Sequence, residues 1–564
     1  EGILRVIFHI YLEARDILAR FAELEKSPEY IHSYRISPLS LWNAAASGLD
    51  APAILDGLNR YSKYPLPENV AFDIRAYIER YGLVKMVRRD NDLLLISDDV
   101  PLMVELAQHK ALKPYIQAKE DAYSIRIDPG RRGHVKQALV NIGYPAEDLA
   151  GYVTGDQLSF RLRQEMLENG KPFELRQYQQ EAGEVFYANG EARGGSGVIV
   201  LPCGAGKTIV GLSAMNQLQC STLVLTPNSV SVRQWIDEML DKTTLTADLV
   251  GEYSGQRKEI KPVTVSTYQT MTYRKRGTKK DLPARDQFPH FHLFDDQNWG
   301  LIIYDEVHLL PAPVFSITAE LQARRRLGLT ATLIREDGRQ EDVFSLIGPK
   351  KYDVPWKDLE RQGWIATADV VEVRVPMPYE MRMEYATAPQ RNKYRVAAEN
   401  KEKIPVVDEL LVKHRKDQVL IIGMYLDQLE KVAKRYKAPL ITGKTKVKDR
   451  RVLFNQFKTG EISTLVVSKV GNFAIDLPNA NVMIQISGMF GSRQEEAQRL
   501  GRILRPKEDS MAHFYTLVTK DTVDQQYSTN RQLFLTEQGY QYTILYADEV
   551  AEYEPATLAE TAFT

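Results

Sequence analysis

A chain of 564 residues exceeds what one hydrophobic core serves and points to about three to five domains. Its apolar fraction of 44% and charged fraction of 26% are those of a globular protein, and no run approaches the ~18 apolar residues of a membrane span. A net charge of −1 leaves any nucleic-acid track to local basic patches, and 2 cysteines exclude a disulfide framework and fit a reducing cytosol.

Residues 1 to about 95 read as mostly helical, with apolar residues three and four apart over Ile17 to Leu24 and Val70 to Tyr81. Ile3 to Leu12 is apolar but runs into Glu13, Arg15 and Asp16 at helical spacing, which argues against a signal peptide. Ser37-Pro38 has the signature of a helix start, with a hydroxyl to cap and a proline in the first turn. A small α+β pattern comes next: strands at Leu93 to Ile96 and Tyr123 to Ile127, helices at Pro101 to His109 and Arg132 to Ile142. From about 171 the rhythm changes to short apolar runs alternating with helices. Gly197 to Leu201, Thr222 to Thr226, Val263 to Ser266 and Leu301 to Tyr304 suit a parallel sheet covered on both faces. The rhythm restarts with Val419 to Ile422, Leu440-Ile441, Thr464 to Val467 and Val482 to Gln485, so two doubly wound α/β domains in tandem are expected. Between them, Glu380 to Lys403 reads as a helical insertion.

The residues that carry chemistry fall inside these two domains. Leu201-Pro-Cys-Gly-Ala-Gly-Lys-Thr208 follows a strand and precedes a helix expected at Ile209 to Leu218. Around Gly204, Ala205 and Gly206 the backbone N–H groups can close on phosphates; Lys207 supplies charge to the β/γ-phosphates and the Thr208 hydroxyl suits Mg²⁺. Leu201 stands where the strict phosphate-loop pattern has a glycine.

Asp305 and Glu306 end an apolar strand, where carboxylates meet a phosphate loop across neighbouring strand tips. Asp305 suits Mg²⁺ through water, and Glu306 suits orienting or deprotonating an attacking water. His308 reads either as a local hydrogen-bonding residue or as a coupling residue. Thr330 and Thr332 are hydroxyls placed to link the carboxylate pair to the other domain. Gln498 to Arg505 reads as a helix with Arg499, Arg502 and Arg505 on one face. Arg502 and Arg505 are candidate fingers for a γ-phosphate, worth ~10³-fold or more in rate, with Gln498 and Arg499 as further nucleotide contacts. Upstream, Gln179 can meet an adenine edge, with Arg176 or Tyr178 against its face.

Together these motifs resemble those of the superfamily 2 helicases, and more closely the XPB family in its bacterial form. Asp305-Glu-Val-His308 is similar to that family's motif II. Leu329 to Asp337 resembles its threonine motif running into an Arg-Glu-Asp signature. Ser468 to Gly471, Ile475 to Pro478, Ile484 to Ser487 and Gly491 to Arg502 are further similarities, as are Val84 to Ser97 and Tyr123 to Tyr152 upstream. Gln177 stands where the family usually has proline, and the insertion after the first α/β domain is short.

The resemblance implies two tandem RecA-like parallel-sheet helicase domains, at 171–350 and 351–564, with a thumb-like insertion near 381–403. Ahead of them it implies a mainly helical N-terminal domain (1–118) and a small α+β damage-recognition-like domain (119–170). It further implies ATP-dependent 3′-to-5′ DNA unwinding or translocation in nucleotide excision repair or related repair, using ATP and Mg²⁺. Asp476 would face the nucleotide, and Arg335, Glu336 and Asp337 would act where strands separate. A motor of this kind needs a strand track across both domains that grips phosphates without reading sequence. Thr226 with Arg233 and Trp235, Thr267 with Tyr268, and Gly443 with Lys444 are candidates for it. The expected partner is DNA at single-strand/duplex junctions, with a partner nuclease in addition; a monomer in the cytoplasm, away from membranes, is expected. The alternative is a double-stranded DNA translocase, or a damage-binding scaffold for a nuclease with little processive unwinding.

Overall fold

The computed structural model of the protein describes residues 2–7, 11–26, 31–90, 92–202, 204–274, 287–322, 324–332, 339–354, 356–468, 480–488, 490, 496, 499–501, 503, 511–538, 540 and 542–554. At the N-terminus β1 (Gly2–Ile7), β2 (Glu23–Lys26) and β3 (Ile31–Ile36) form an antiparallel sheet in the order β1-β3-β2. The expected helical start is therefore corrected over its first third. The apolar residues from Ile17 to Leu24 straddle a helix (Tyr11–Leu18) and β2, and periodicity cannot separate the two in so short a run. Helices Pro38–Ala46, Ala51–Tyr61 and Glu68–Arg80 come after this sheet. Ser37 caps the first reciprocally: its Oγ accepts the Ser40 N–H at 3.1 Å, and Ser40 Oγ accepts the Ser37 N–H at 3.0 Å. The core beneath gathers Leu18, Phe21, Tyr34, Leu41, Ile54 and Leu58, and it takes in Leu533 from the helix Val523–Glu537 near the other end of the chain.

The next sheet holds β4 (Lys85–Arg89), β5 (Asp92–Ile96), β6 (Ile116–Lys119), β7 (Ser124–Ile127) and β8 (Glu147–Asp148), in the order β6-β7-β5-β4-β8. Because β5 pairs directly with β7, one sheet spans the expected 118/119 division, and the packed unit runs from β4 to β8.

Buried charges fasten this unit to the neighbouring α/β domain. Arg132 donates to both oxygens of Asp148, at 3.1 and 2.6 Å. Lys136 Nζ lies 3.2 Å from Asp148 Oδ2 and donates to Gln322 Oε1 at 3.1 Å. Arg326, also buried, donates to the Leu346 carbonyl at 2.7 Å and to Ser196 Oγ at 3.1 Å. Between them the backbones touch: a Cβ added at Gly133 would lie 2.5 Å from the Ala319 carbonyl oxygen.

Two seven-stranded parallel sheets make up the rest. The first holds β9 (Ser196–Val200), β10 (Thr222–Thr226), β11 (Val250–Tyr253), β12 (Val263–Thr267), β13 (Leu301–Asp305), β14 (Arg325–Thr330) and β15 (Lys350–Asp353), in the order β11-β12-β10-β13-β14-β9-β15. The second holds β16 (Ala368–Val375), β17 (Val419–Gly423), β18 (Leu440–Ile441), β19 (Thr464–Ser468), β20 (Val482–Gln485), β21 (Ala512–Thr519) and β22 (Tyr542–Tyr546), in the order β18-β19-β17-β20-β21-β16-β22. Numbered within its own sheet, each order is 3-4-2-5-6-1-7, so the two domains share one winding. Buried at every residue, β10 and β17 carry apolar side chains on both faces, which is why they stood out as runs. The equally buried β12 satisfies its Thr264 and Ser266 hydroxyls on the Lys261 and Tyr253 carbonyls. Helices Tyr379–Thr387 and Gln390–Ala398 form the insertion.

Candidate active site

Parallel strands end on a common edge, and register decides which residues meet there. Val200 on β9 pairs with Thr330 on β14, and Leu329 on β14 pairs with Asp305 on β13. The glycine-rich segment, the threonine segment and the acidic pair therefore leave the sheet side by side. The Leu201 N–H donates to the Thr330 carbonyl at 3.0 Å, which ties the entry of the loop to β14.

Gly204 and Gly206 have left-handed backbone, φ +83° and +80°, and the helix Lys207–Leu218 starts directly after. A side chain at Gly206 would collide with Gln179, whose Nε2 lies 2.6 Å from the position of a Cβ. Gln179 Nε2 and the Tyr178 hydroxyl both donate to the Ala205 carbonyl, at 3.0 and 2.7 Å. Arg176 Nη1 in turn donates to the Tyr178 hydroxyl at 3.1 Å, and its guanidinium lies 4.5 Å over the ring of Trp364.

Opposite the loop, Lys207 Nζ lies 3.1 Å from Glu306 Oε1. Glu306 has φ +50°, and this turn ends β13 and begins the short helical turn that carries His308. His308 is buried, with Nδ1 2.7 Å from Thr330 Oγ1 and 3.4 Å from Glu306 Oε2. Thr330 Oγ1 gives its own proton to the Thr332 carbonyl at 2.6 Å, so in the His308 contact the proton sits on Nδ1. Lys207, Glu306, His308, Thr330 and Thr332 thus form one continuous polar chain. Trp235 Nε1 donates to Asp305 Oδ2 at 3.0 Å and the Tyr268 hydroxyl donates to the Asp305 carbonyl at 2.8 Å. Both residues belong to segments read in sequence as strand grips, and here they contact the first residue of the acidic pair.

Burial pushes the Asp305 carboxyl up to about 6, and the neighbouring Glu306 charge adds to the rise. Burial acts on Glu306 in the same sense, but the charges of Lys207 and His308 outweigh it and hold that carboxyl below its ordinary value. The buried pair is therefore split, with Glu306 the stronger acid. The Thr208 hydroxyl and the two carboxylates are oxygen ligands of the kind a hard cation takes, and the glycine turn, closed to a side chain at Gly206, leaves backbone N–H groups for phosphates. The residues present fit a magnesium nucleotide.

The second domain reaches this edge. A Cβ at Gly204 would come 3.7 Å from the Gly501 carbonyl oxygen, which places Gly501 of the second domain over the loop. The ERCC3/RAD25/XPB C-terminal helicase model matches residues 359–562, the type III restriction enzyme res subunit model matches 172–335, and a helicase conserved C-terminal domain model matches 3–121. A Kineococcus radiotolerans protein named DNA 3′-5′ helicase XPB is 52% identical over 538 residues, covering 95% of this chain and 93% of that one. The protein of the same name from Mycobacterium tuberculosis is 52% identical over 539 residues, covering 95% and 94%. The chain belongs to the XPB family of DNA helicases. The general transcription and DNA repair factor IIH helicase/translocase subunit XPB of Encephalitozoon cuniculi is 35% identical over 546 residues, covering 94% of this chain and 80% of that one.

Other residues expected to act in this XPB-family chain are placed unevenly. Thr226 is fully buried, its hydroxyl donating to the Asn228 and Ser266 carbonyls at 3.1 and 3.2 Å. Thr267 Oγ1 accepts the Thr270 N–H at 3.0 Å and caps the helix Tyr268–Met271. Both hydroxyls are engaged with local backbone groups, as hydroxyls beside strand ends commonly are. Arg233, Gly443 and Lys444 are exposed, as a track requires. Asp237 interacts electrostatically with both Arg233 and Arg451, which brings the helix Ser229–Lys242 of the first domain near the helix Val447–Thr459 of the second. Arg499, expected at the nucleotide, is fully buried and donates to Gln485 Oε1 on β20 in the second domain. Arg335, Glu336, Asp337, Asp476, Gln498, Arg502 and Arg505 lie outside the described residues.

Proposed function

We propose that this chain is an ATP-driven DNA helicase that moves 3′ to 5′ and opens duplex DNA in repair, with ATP bound on the edge where Lys207 meets Glu306. The observation that carries the site is that ion pair, set in a polar chain running to Thr332 and roofed by Gly501. Lys207 leaves Glu306 to meet the β/γ-phosphate oxygens, and the freed carboxylate orients the attacking water and takes its proton. Thr208 and Asp305 would hold Mg²⁺, which when bound neutralises charge on the phosphates. Arg502 and Arg505 supply positive charge from the second domain as the cleft closes, and His308 with Thr330 and Thr332 carries the change of state toward the DNA. Arg233 and Lys444 grip the strand, Arg335 to Asp337 act at the fork, and the units ahead of residue 171 contact the duplex. The protein works as a monomer and hands opened DNA to a nuclease.

DNA-stimulated ATPase and strand displacement on 3′-tailed, 5′-tailed and blunt substrates test this reading. Displacement confined to 3′-tailed DNA, lost in Lys207→Ala, is expected; wild-type turnover by Lys207→Ala would refute the site. A second reading, translocation along duplex without strand separation, draws on the helicase/translocase name of the Encephalitozoon cuniculi relative. Triplex removal on blunt DNA without strand displacement would establish it.

A further inference from the structure

The Arg176–Trp364 contact has no part in the phosphate chemistry, yet it joins the two helicase domains beside the loop. Arg176 precedes the helix Gln177–Tyr187 of the first domain. Through Tyr178 it is linked to the Ala205 carbonyl, so the position of its guanidinium is set from the loop itself. Trp364 enters from the other domain. It lies after the helix Trp356–Arg361 and leads into β16 of the second sheet.

The backbone that presents this indole is fixed from its own domain. Gly363 turns left-handed at φ +73°, and the Trp364 N–H returns to the Leu359 carbonyl at 2.8 Å, which closes the helix end. Leu359 is fully buried, and Trp356 is buried edge-on against Tyr540, which roots the helix in its own domain. Trp364 remains 37% exposed despite its size. A tryptophan presented from a fixed backbone with its ring still accessible is suited to recognising something flat. Arg176 is only half-buried, so its guanidinium keeps accessible surface beyond the indole contact.

We propose that Trp364 is a specificity-determining residue: it fixes the plane of the Arg176 guanidinium, which then stacks on the nucleobase of the bound nucleotide. A guanidinium backed by an indole is a flat cationic surface, and a purine offers it a larger π-face than a pyrimidine. Because the two halves of this surface come from different domains, base recognition improves as the cleft closes. This inference rests on the nucleotide site placed at Lys207.

The test compares wild type, Trp364→Ala and Trp364→Phe in DNA-stimulated hydrolysis of ATP and UTP, with inorganic tripolyphosphate as a competitor. Tripolyphosphate probes the phosphate cradle without a base. In Trp364→Ala the KM for ATP should rise about three- to tenfold, with kcat at saturating ATP little changed. The preference for ATP over UTP should fall by a similar factor, and Trp364→Phe should restore most of both. The tripolyphosphate inhibition constant should not move. An unchanged ATP/UTP preference, or an equal loss for ATP and tripolyphosphate, would overturn the proposal, the latter by showing that Trp364 acts only on domain closure. Failure of the underlying site is read separately, from normal ATP turnover by Lys207→Ala.

Discussion

Glu306 Oε1 stands 3.1 Å from Lys207 Nζ, so the carboxylate suited to the attacking water is paired with the lysine suited to the phosphates. Each side chain must release the other before either can serve the nucleotide. Glu306→Gln removes the charge that competes for Lys207, and it removes the base as well. Binding of a fluorescent ATP analogue should tighten while DNA-stimulated turnover falls about 10²- to 10⁴-fold. Weaker binding with turnover preserved would contradict both roles.

His308→Ala and Thr330→Ala interrupt the polar chain beyond the carboxylate without touching the loop. Unwinding should fall by about tenfold or more while DNA-stimulated ATPase stays within about threefold of wild type, since a coupling energy of a few kcal/mol links the two activities. Parallel ATPase and displacement assays on one 3′-tailed substrate read the ratio. An equal loss of both would assign these residues to chemistry alone.

Gly133 admits no side chain where its helix crosses Ala319. Gly133→Ala should weaken docking of the β4–β8 unit onto the first helicase domain by about 1–3 kcal/mol, the usual cost of overpacking. Limited proteolysis should then cut faster between residues 150 and 171. An unchanged digestion pattern would show that the contact is not needed.

Lys136 gives a dependence on pH. Burial, resisted by Asp148 and reinforced by Arg326 and Arg132, pushes its amine down to about 7 from an ordinary value of 10.5. Between those values the unfolded chain holds the extra proton, so the stability contributed by this group rises with pH across that window. Lys136→Met should flatten the climb of apparent Tm between pH 7 and pH 9, removing up to about 1.4 kcal/mol per pH unit. Parallel curves for the two proteins would mean that Lys136 titrates near its ordinary value.

What the sequence made legible was the part in which neighbours in the chain are neighbours in space. Gly204 to Thr208, Asp305 to His308 and Thr330 to Thr332 each lie within a single strand end, so local pattern carries them. The strands found early were those buried on both faces, such as β10 and β17. β14 begins Arg325-Arg326, and β16 carries Asp369, Glu372 and Arg374, so their polar residues hid them. Arg326 is buried and bonded nonetheless. Trp235 on Asp305 and Trp364 over Arg176 join residues far apart in the chain, and no periodicity reports such a meeting. The early strands failed for another reason: apolar residues within one short run fit a helix face or a strand equally well.

Leu533 belongs to the hydrophobic core built around Leu18, Tyr34 and Ile54. A ribosome makes the walls of that core well before Leu533, which follows the whole first parallel sheet and six of the seven strands of the second. The opening segment must therefore wait, incompletely packed, for the helix Val523–Glu537 to arrive. Removing the helix Val523–Glu537 would leave an apolar surface uncovered around Leu18 and Tyr34, and removing that segment would uncover Leu533, so a change made in one is also an alteration of the other.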